Sequence, residues 1–179
     1  MPDYVLCVAT NCPTYRVNYR SGLEGAYLGD AAGAVIVSSR HAGRLGVFAS
    51  FFGTDVAARH VFELEKFSGA LVRVDEFKQA VSARSAQMYN SLMEKHSPAP
   101  GTFKYIGTQF DYRLLERERI QHGLEPQHCW SNVQDCGYSL GSSAVCVLAD
   151  HWDSIRADQA IVVTQVSPGV GFGYLLLRS

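Results

Sequence analysis

At 179 residues, with 47% hydrophobic and 18% charged side chains, the chain has the composition of a globular domain with a sizeable core. Its 16 Lys and Arg against 17 Asp and Glu leave a formal charge of −1. With no basic cluster, neither nucleic acid nor an anionic membrane is the expected partner. No apolar run approaches the ~20 residues of a membrane helix, and no charged-then-apolar leader opens the sequence, so a cytoplasmic setting is expected.

Residues 4–10 are an apolar run of strand length. Apolar character on both faces predicts a buried central strand, which needs neighbours. A polar loop over 11–25 follows. Small residues at 29–34 then lead into Val35-Ile36-Val37, His41-Ala42-Gly43 supplies a turn, and 45–52 alternates as a second strand. Together these predict a hairpin. Residues 53–69 read as a surface loop. From Val74 the period becomes helical, with Phe77, Val81, Met88 and Leu92 on one face and an end near His96, before Pro98 and Pro100. Residues 103–107 predict a strand. Asp111 is placed to cap a helix that turns Leu114, Leu115 and Ile120 inward and stops at Gly123. A short strand over 129–133 and a helix over 139–152 follow. The strands 161–166 and 174–178 make a closing hairpin through a glycine-rich 167–173. Alternation of this kind predicts a layered α/β fold with a mixed sheet and helices on both faces.

Cys7, Cys12, Cys129, Cys136 and Cys146 are odd in number and lack CxxC spacing, so buried, reduced thiols are expected. A metal site would have to recruit His122, His128, Cys129 and Cys136, whose spacing fits no usual zinc pattern, and no metal is expected. Ser139, Ser142 and Ser143 begin a small-residue helix with no positioned histidine, so close packing explains them better than a serine nucleophile. The glycine-rich 169–173 precedes a strand rather than a helix, which argues against a phosphate cradle.

Three stretches taken together carry a resemblance. They are Leu28-Gly29-Asp30-Ala31-Ala32-Gly33-Ala34, then Gly107-Thr108-Gln109 through Gly123-Leu124 to Gly137-Tyr138-Ser139, and the final Gly169-Val170-Gly171-Phe172-Gly173. In this order and spacing they resemble the second half of a β-ketoacyl-acyl-carrier-protein synthase III, a thiolase-fold condensing enzyme. The resemblance implies a five-layer fold of two similar halves, and acyl transfer from coenzyme A or a carrier protein onto an active-site cysteine. It implies next that a malonyl unit loses carbon dioxide and that the carbanion attacks the acyl-enzyme. The reaction needs an activated thiolate and donors for the thioester enolate, which the family takes from a His and an Asn.

Carried over residue by residue, the resemblance places Thr108 in the histidine slot, followed by the expected glutamine, Gln109. It places Tyr138 in the asparagine slot and Gly169 where a backbone N–H approaches the oxyanion. The nucleophilic cysteine belongs before residue 4, and none of the five cysteines lies in its slot. Thr108 and Tyr138 could bind a different thioester, or they could fill space in a site that no longer turns over. Asp30 most simply stabilises a turn of its own loop, and Ser139 and Gln109 are loop or pocket candidates. The resemblance divides the chain into closing strands of a first half, 1–52, and a second half, 53–179. The fold is then expected to be incomplete without a partner. The expected function is a non-catalytic or split subunit in fatty-acid or polyketide-type biosynthesis, with no cofactor and an acyl-CoA or acyl-carrier-protein thioester as substrate. The partners are a cysteine-bearing ketosynthase-like subunit and an acyl carrier protein, in an assembly of at least a dimer. The alternatives are a thiolase-fold scaffold that binds a ligand without acyl transfer, and an acyltransferase that uses Cys12 or a serine.

Overall fold

The stripe of Phe77, Val81, Met88 and Leu92 is the face on which the main sheet is built: all four are buried in helix α1 (Val74–His96). Asp75 and Glu76 in the first turn and Lys95 and His96 in the last suit the helix dipole. The computed structural model describes residues 2–16, 28–61, 63–64, 71–72, 74–98, 102–167 and 171–179. Eight strands lie among them: β1 (Val5–Asn11), β2 (Ala31–Val37), β3 (Gly46–Thr54), β4 (Glu63–Leu64), β5 (Leu71–Val72), β6 (Phe103–Ile106), β7 (Ala160–Val166) and β8 (Gly171–Arg178). After α1 come α2 (Tyr112–Gln121), α3 (Val133–Cys136) and α4 (Ser143–Asp150).

Four strands form a mixed sheet in the order β3-β8-β7-β6. β6 and β7 run parallel, while β8 is antiparallel to both β7 and β3. Successive residues of β7 serve opposite faces, as the pleat requires. Val162 and Val166 pack with Phe103, Tyr105, Tyr174 and Leu176 against α1, whereas Ile161 and Val163 pack with Ile106, Leu177 and Trp130 around Val147 of α4. Helices therefore cover both faces, as the alternation predicted.

Helix α4 also touches a second sheet, the antiparallel pair β1-β2. Small residues make that approach possible. A Cβ on Gly33 would come within 2.7 Å of Val145 Cγ1, and Ser142 Oγ lies 3.2 Å from the Ala31 carbonyl. The layers thus run from α1 and α2 through the mixed sheet to α4, and then to β1-β2. Beyond β1-β2 the outward face is bare: Leu6, Val8 and Ile36 are 64%, 62% and 70% exposed. Leu6 stands opposite Ile36 and Val8 opposite Ala34, so these apolar residues share one face.

Several expectations are corrected. The segments 29–37 and 45–52 are not a hairpin, because β2 pairs with β1 and β3 pairs with β8 at the far end of the chain. The run at 4–10 is a strand, but within this chain it is largely exposed rather than buried. The 52/53 division falls inside β3. Residues 129–133 contribute one isolated bridge, Tyr105 to Cys129, before α3 begins. Ile120 points outward at 67% exposed, and Glu118 takes the inward position with Leu114 and Leu115. The thiols are not core groups: Cys7, Cys12 and Cys136 are exposed, and Cys129 and Cys146 half-buried. Cys7 lies opposite Val35 on the edge strand β1 of a two-stranded sheet, and Cys12 lies just beyond the end of that strand. Asp111 caps α2 as expected, accepting a hydrogen bond from the Arg113 amide at 2.8 Å. Among the described residues, no helix is long and apolar enough to cross a membrane.

Candidate functional site

The ladder between β6 and β7 ends at Ile106 and Val163. Beyond it, side chains take over the stitching. Thr108 is fully buried, and its Oγ1 accepts a hydrogen bond from the Val166 amide at 2.9 Å. Its carbonyl accepts from the Phe110 amide at 2.8 Å, closing a tight turn. Gln165 Nε2 donates to the Gly107 carbonyl at 3.0 Å from the β7 side. Gln109, also fully buried, donates from Nε2 to that same carbonyl at 3.0 Å. Its Oε1 accepts from Ser131 Oγ at 2.8 Å and from the Asn132 amide at 3.3 Å. Thr108 and Gln109 therefore tie the strand end to β7 and to the start of α3.

Tyr138 follows Gly137, whose φ of 69° ends α3 in a conformation open to glycine. The Tyr138 ring is 1% exposed and meets Phe110 edge-on at 5.4 Å. Burial pushes its hydroxyl pKa far upward. Its carbonyl accepts from the Gly29 amide at 3.1 Å, which joins the β2 approach to the site loop. Ser139 lies next to it, with its amide donating to Ser143 Oγ at 3.0 Å and its hydroxyl 3.1 Å from that oxygen. The serines thus satisfy one another at the start of α4. Asp30 acts beyond its own loop: it accepts from the Thr14 amide at 3.0 Å and from the Thr14 hydroxyl, pinning the turn that follows β1. Gly169 lies outside the described residues.

Several of these polar groups hold the loops of the site together through hydrogen bonds. Thr108 Oγ1 accepts a backbone amide, which leaves its O–H able to donate, and the Tyr138 ring packs in the core. The half-buried thiols are shifted the wrong way for nucleophilic attack. Burial pushes Cys129 up to about 11, and burial, aided by Asp150 and Cys136, raises Cys146. A pocket of about 260 Å³ opens nearby among β3, β7 and β8, lined by Phe52, Val163, Gln165, Phe172 and Leu175; neither Thr108 nor Tyr138 is part of its wall. Among the described residues, no three His, Cys, Asp or Glu side chains converge as metal ligands. Nothing in the residue pattern announced Phe110, which links the Tyr138 ring to Phe77 of α1 at 4.8 Å, or Gln165. Thr108→Val keeps the shape but removes the acceptor of the Val166 amide. Urea unfolding is expected to report a loss of about 1–3 kcal/mol, the usual effect of orphaning a buried donor.

No protein-family profile and no curated protein matches the chain. Solved structures do. 3-Oxoacyl-(acyl-carrier-protein) synthase III from Aquifex aeolicus VF5 superposes with a TM-score of 0.86 at 18% identity, over 99% of this chain and 58% of that one. OleA from Xanthomonas campestris, solved with bound lauric acid and lauroyl-CoA, gives 0.83 at 11% identity over 99% and 58%. The type III polyketide synthase domain of Steely1 from Dictyostelium gives 0.79 at 13% identity over 98% and 54%. These likenesses establish a thiolase-like fold. The chain spans less than two thirds of the length of each of these structures.

Proposed function

We propose, from the condensing-enzyme fold as premise, that this chain is a non-catalytic part of a ketosynthase III-like unit acting on acyl thioesters. In this reading it completes the layered fold and frames the acyl site, while polypeptide outside these 179 residues contributes the reactive cysteine. The observation that carries the reading is Thr108. In the slot where the family places its histidine stands a fully buried hydroxyl whose oxygen already accepts the Val166 amide. Its O–H can still donate, but a neutral hydroxyl does not reproduce the imidazole that the family uses to stabilise the enolate. The bare apolar face of Leu6, Val8 and Ile36 supports the assembly half of the proposal, since a contiguous apolar face on a sheet is an association surface. Acyl-CoA or an acyl carrier protein delivers the thioester to the assembled unit, and the pathway is of fatty-acid or polyketide type.

The test uses lauroyl-CoA, the ligand of the OleA structure, labelled in its acyl chain. Incubated alone, this chain is expected to retain no covalent label. Incubated with a separately expressed, cysteine-bearing ketosynthase III-like polypeptide, label is expected on that partner, and acyl transfer is expected to require both. Label retained as a thioester on this chain alone would overturn the non-catalytic assignment.

A further inference from the structure

Helix α2 carries a carboxyl group into the core. Glu118 is fully buried, and its Oε2 lies 3.3 Å from the Tyr105 hydroxyl, while its buried Oε1 has no partner among the described residues. The Tyr105 hydroxyl is also 2.7 Å from Thr164 Oγ1 and 3.0 Å from Ser85 Oγ. One phenol thus joins α2 to β6, β7 and α1. The carboxyl group also presses on the strand end that holds the candidate site: a Cβ on Gly107 would lie 2.8 Å from Glu118 Oε2. Thr108 and Gln109 follow at once.

Four of the titratable groups around it are uncharged at neutral pH. From β6 comes Tyr105, whose hydroxyl pKa burial raises well above the ordinary value. From α1 comes Tyr89, raised by burial, and from the segment before α3 comes Cys129, pushed up to about 11. His122, one turn along α2, stacks on Tyr89 at 3.9 Å and meets Tyr105 edge-on at 5.5 Å; its Nε2 is buried without a partner. Burial holds His122 down at about 4. The α2 ions Glu116 and Arg119 pair with each other. No Lys or Arg among the described residues forms an ion pair with Glu118. A carboxylate in such a place has lost its water without gaining a counter-charge.

We propose that Glu118 is a proton-controlled latch. As the neutral acid it packs between Tyr105 and the Gly107 backbone, and once it loses its proton the charge, buried with Oε1 unpartnered and no counter-ion, favours loosening of α2 from the strand end that carries Thr108 and Gln109. The latch does not depend on the acyl-transfer reading.

Burial moves the Glu118 pKa from 4.5 to about 8, with the Ser85 and Tyr105 hydroxyls pulling it partly back. A raised folded pKa means that stability is complete below about 4.5 and is lost as pH rises to about 8. His122 works in the opposite sense: its contribution is complete above 6.5 and lost as pH falls to about 4. The two oppose one another between 4.5 and 6.5, and above 6.5 Glu118 dominates.

For the full chain, the unfolding constant is therefore expected to rise about eightfold in all between about pH 6.5 and 8, a net release of up to one proton on unfolding being reduced at the lower end by His122 and at the upper end by ionisation of folded Glu118. In Glu118→Gln, which keeps the shape and removes the titration, this rise disappears. A chain labelled with 13C at glutamate carboxyls supplies a test that needs no variant. One carboxyl resonance is expected to titrate near 8. Exchange at the Val166 amide is expected to accelerate over the same range beyond the intrinsic base-catalysed rate. If every glutamate titrates below pH 6, or the Gln variant keeps the wild-type slope, there is no latch.

Discussion

Gly29→Ala is expected to destabilise the protein by about 3 kcal/mol or more in urea unfolding, because the added methyl group meets backbone that has nowhere to go. A Cβ at this position would lie 1.8 Å from the Cys136 carbonyl oxygen and 3.3 Å from Gly137 Cα. Gly29 sits where the entry to β2 meets the site loop, held by the hydrogen bond from its amide to the Tyr138 carbonyl at 3.1 Å. The clash cannot be relieved by a rotamer change, so either the β2 entry or the Tyr138 loop must shift. Gly46→Ala is the control. Its Cβ would meet nothing closer than the Arg178 carbonyl at 3.8 Å, and the change is expected to stay within about 1 kcal/mol. Equal effects at the two glycines would mean that the close approach at Gly29 is not a structural constraint.

Phe110→Ala is expected to cost about 3–5 kcal/mol, the range for removing a buried aromatic side chain from a packed core. Phe110 is fully buried and meets two rings edge-on, Phe77 at 4.8 Å and Tyr138 at 5.4 Å. Its removal takes away the wedge between α1 and the site loop. Urea unfolding measures the loss, and the near-ultraviolet tyrosine signal of the folded variant reports whether Tyr138 has lost its fixed packing. A cost below about 1 kcal/mol would contradict the packing described here.

What could be read from the residues follows a physical division. Helix α1 was legible because its buried face repeats at the helical period, and the Asp111 cap because a short acceptor before an apolar run has one obvious use. The β7-β8 hairpin was legible because its strands adjoin in the chain. The pairing of β1 with β2 and of β3 with β8 was not, because the turn-like His41-Ala42-Gly43 offers a local solution that long-range contacts override. Glu118 was missed because a carboxylate is so seldom buried that the pattern favoured Ile120, two residues on. The buried Tyr105 and Ser85 hydroxyls reverse that choice, and nothing local announces them. At the candidate site, the motif spacing singled out Thr108 and Tyr138, and both are buried. That the Thr108 oxygen accepts the Val166 amide could not be read, because the partner amide arrives from a different strand.

The uncovered outer face of β1-β2 leads to one direct measurement: the mass of this chain in solution, alone and together with a cysteine-bearing ketosynthase III-like polypeptide. Alone, the chain is expected to self-associate with rising concentration through the face of Leu6, Val8 and Ile36. With the cysteine-bearing polypeptide, a discrete complex of fixed stoichiometry is expected. A well-folded monomer at every concentration, indifferent to that polypeptide, would mean that the bare face is not an assembly surface.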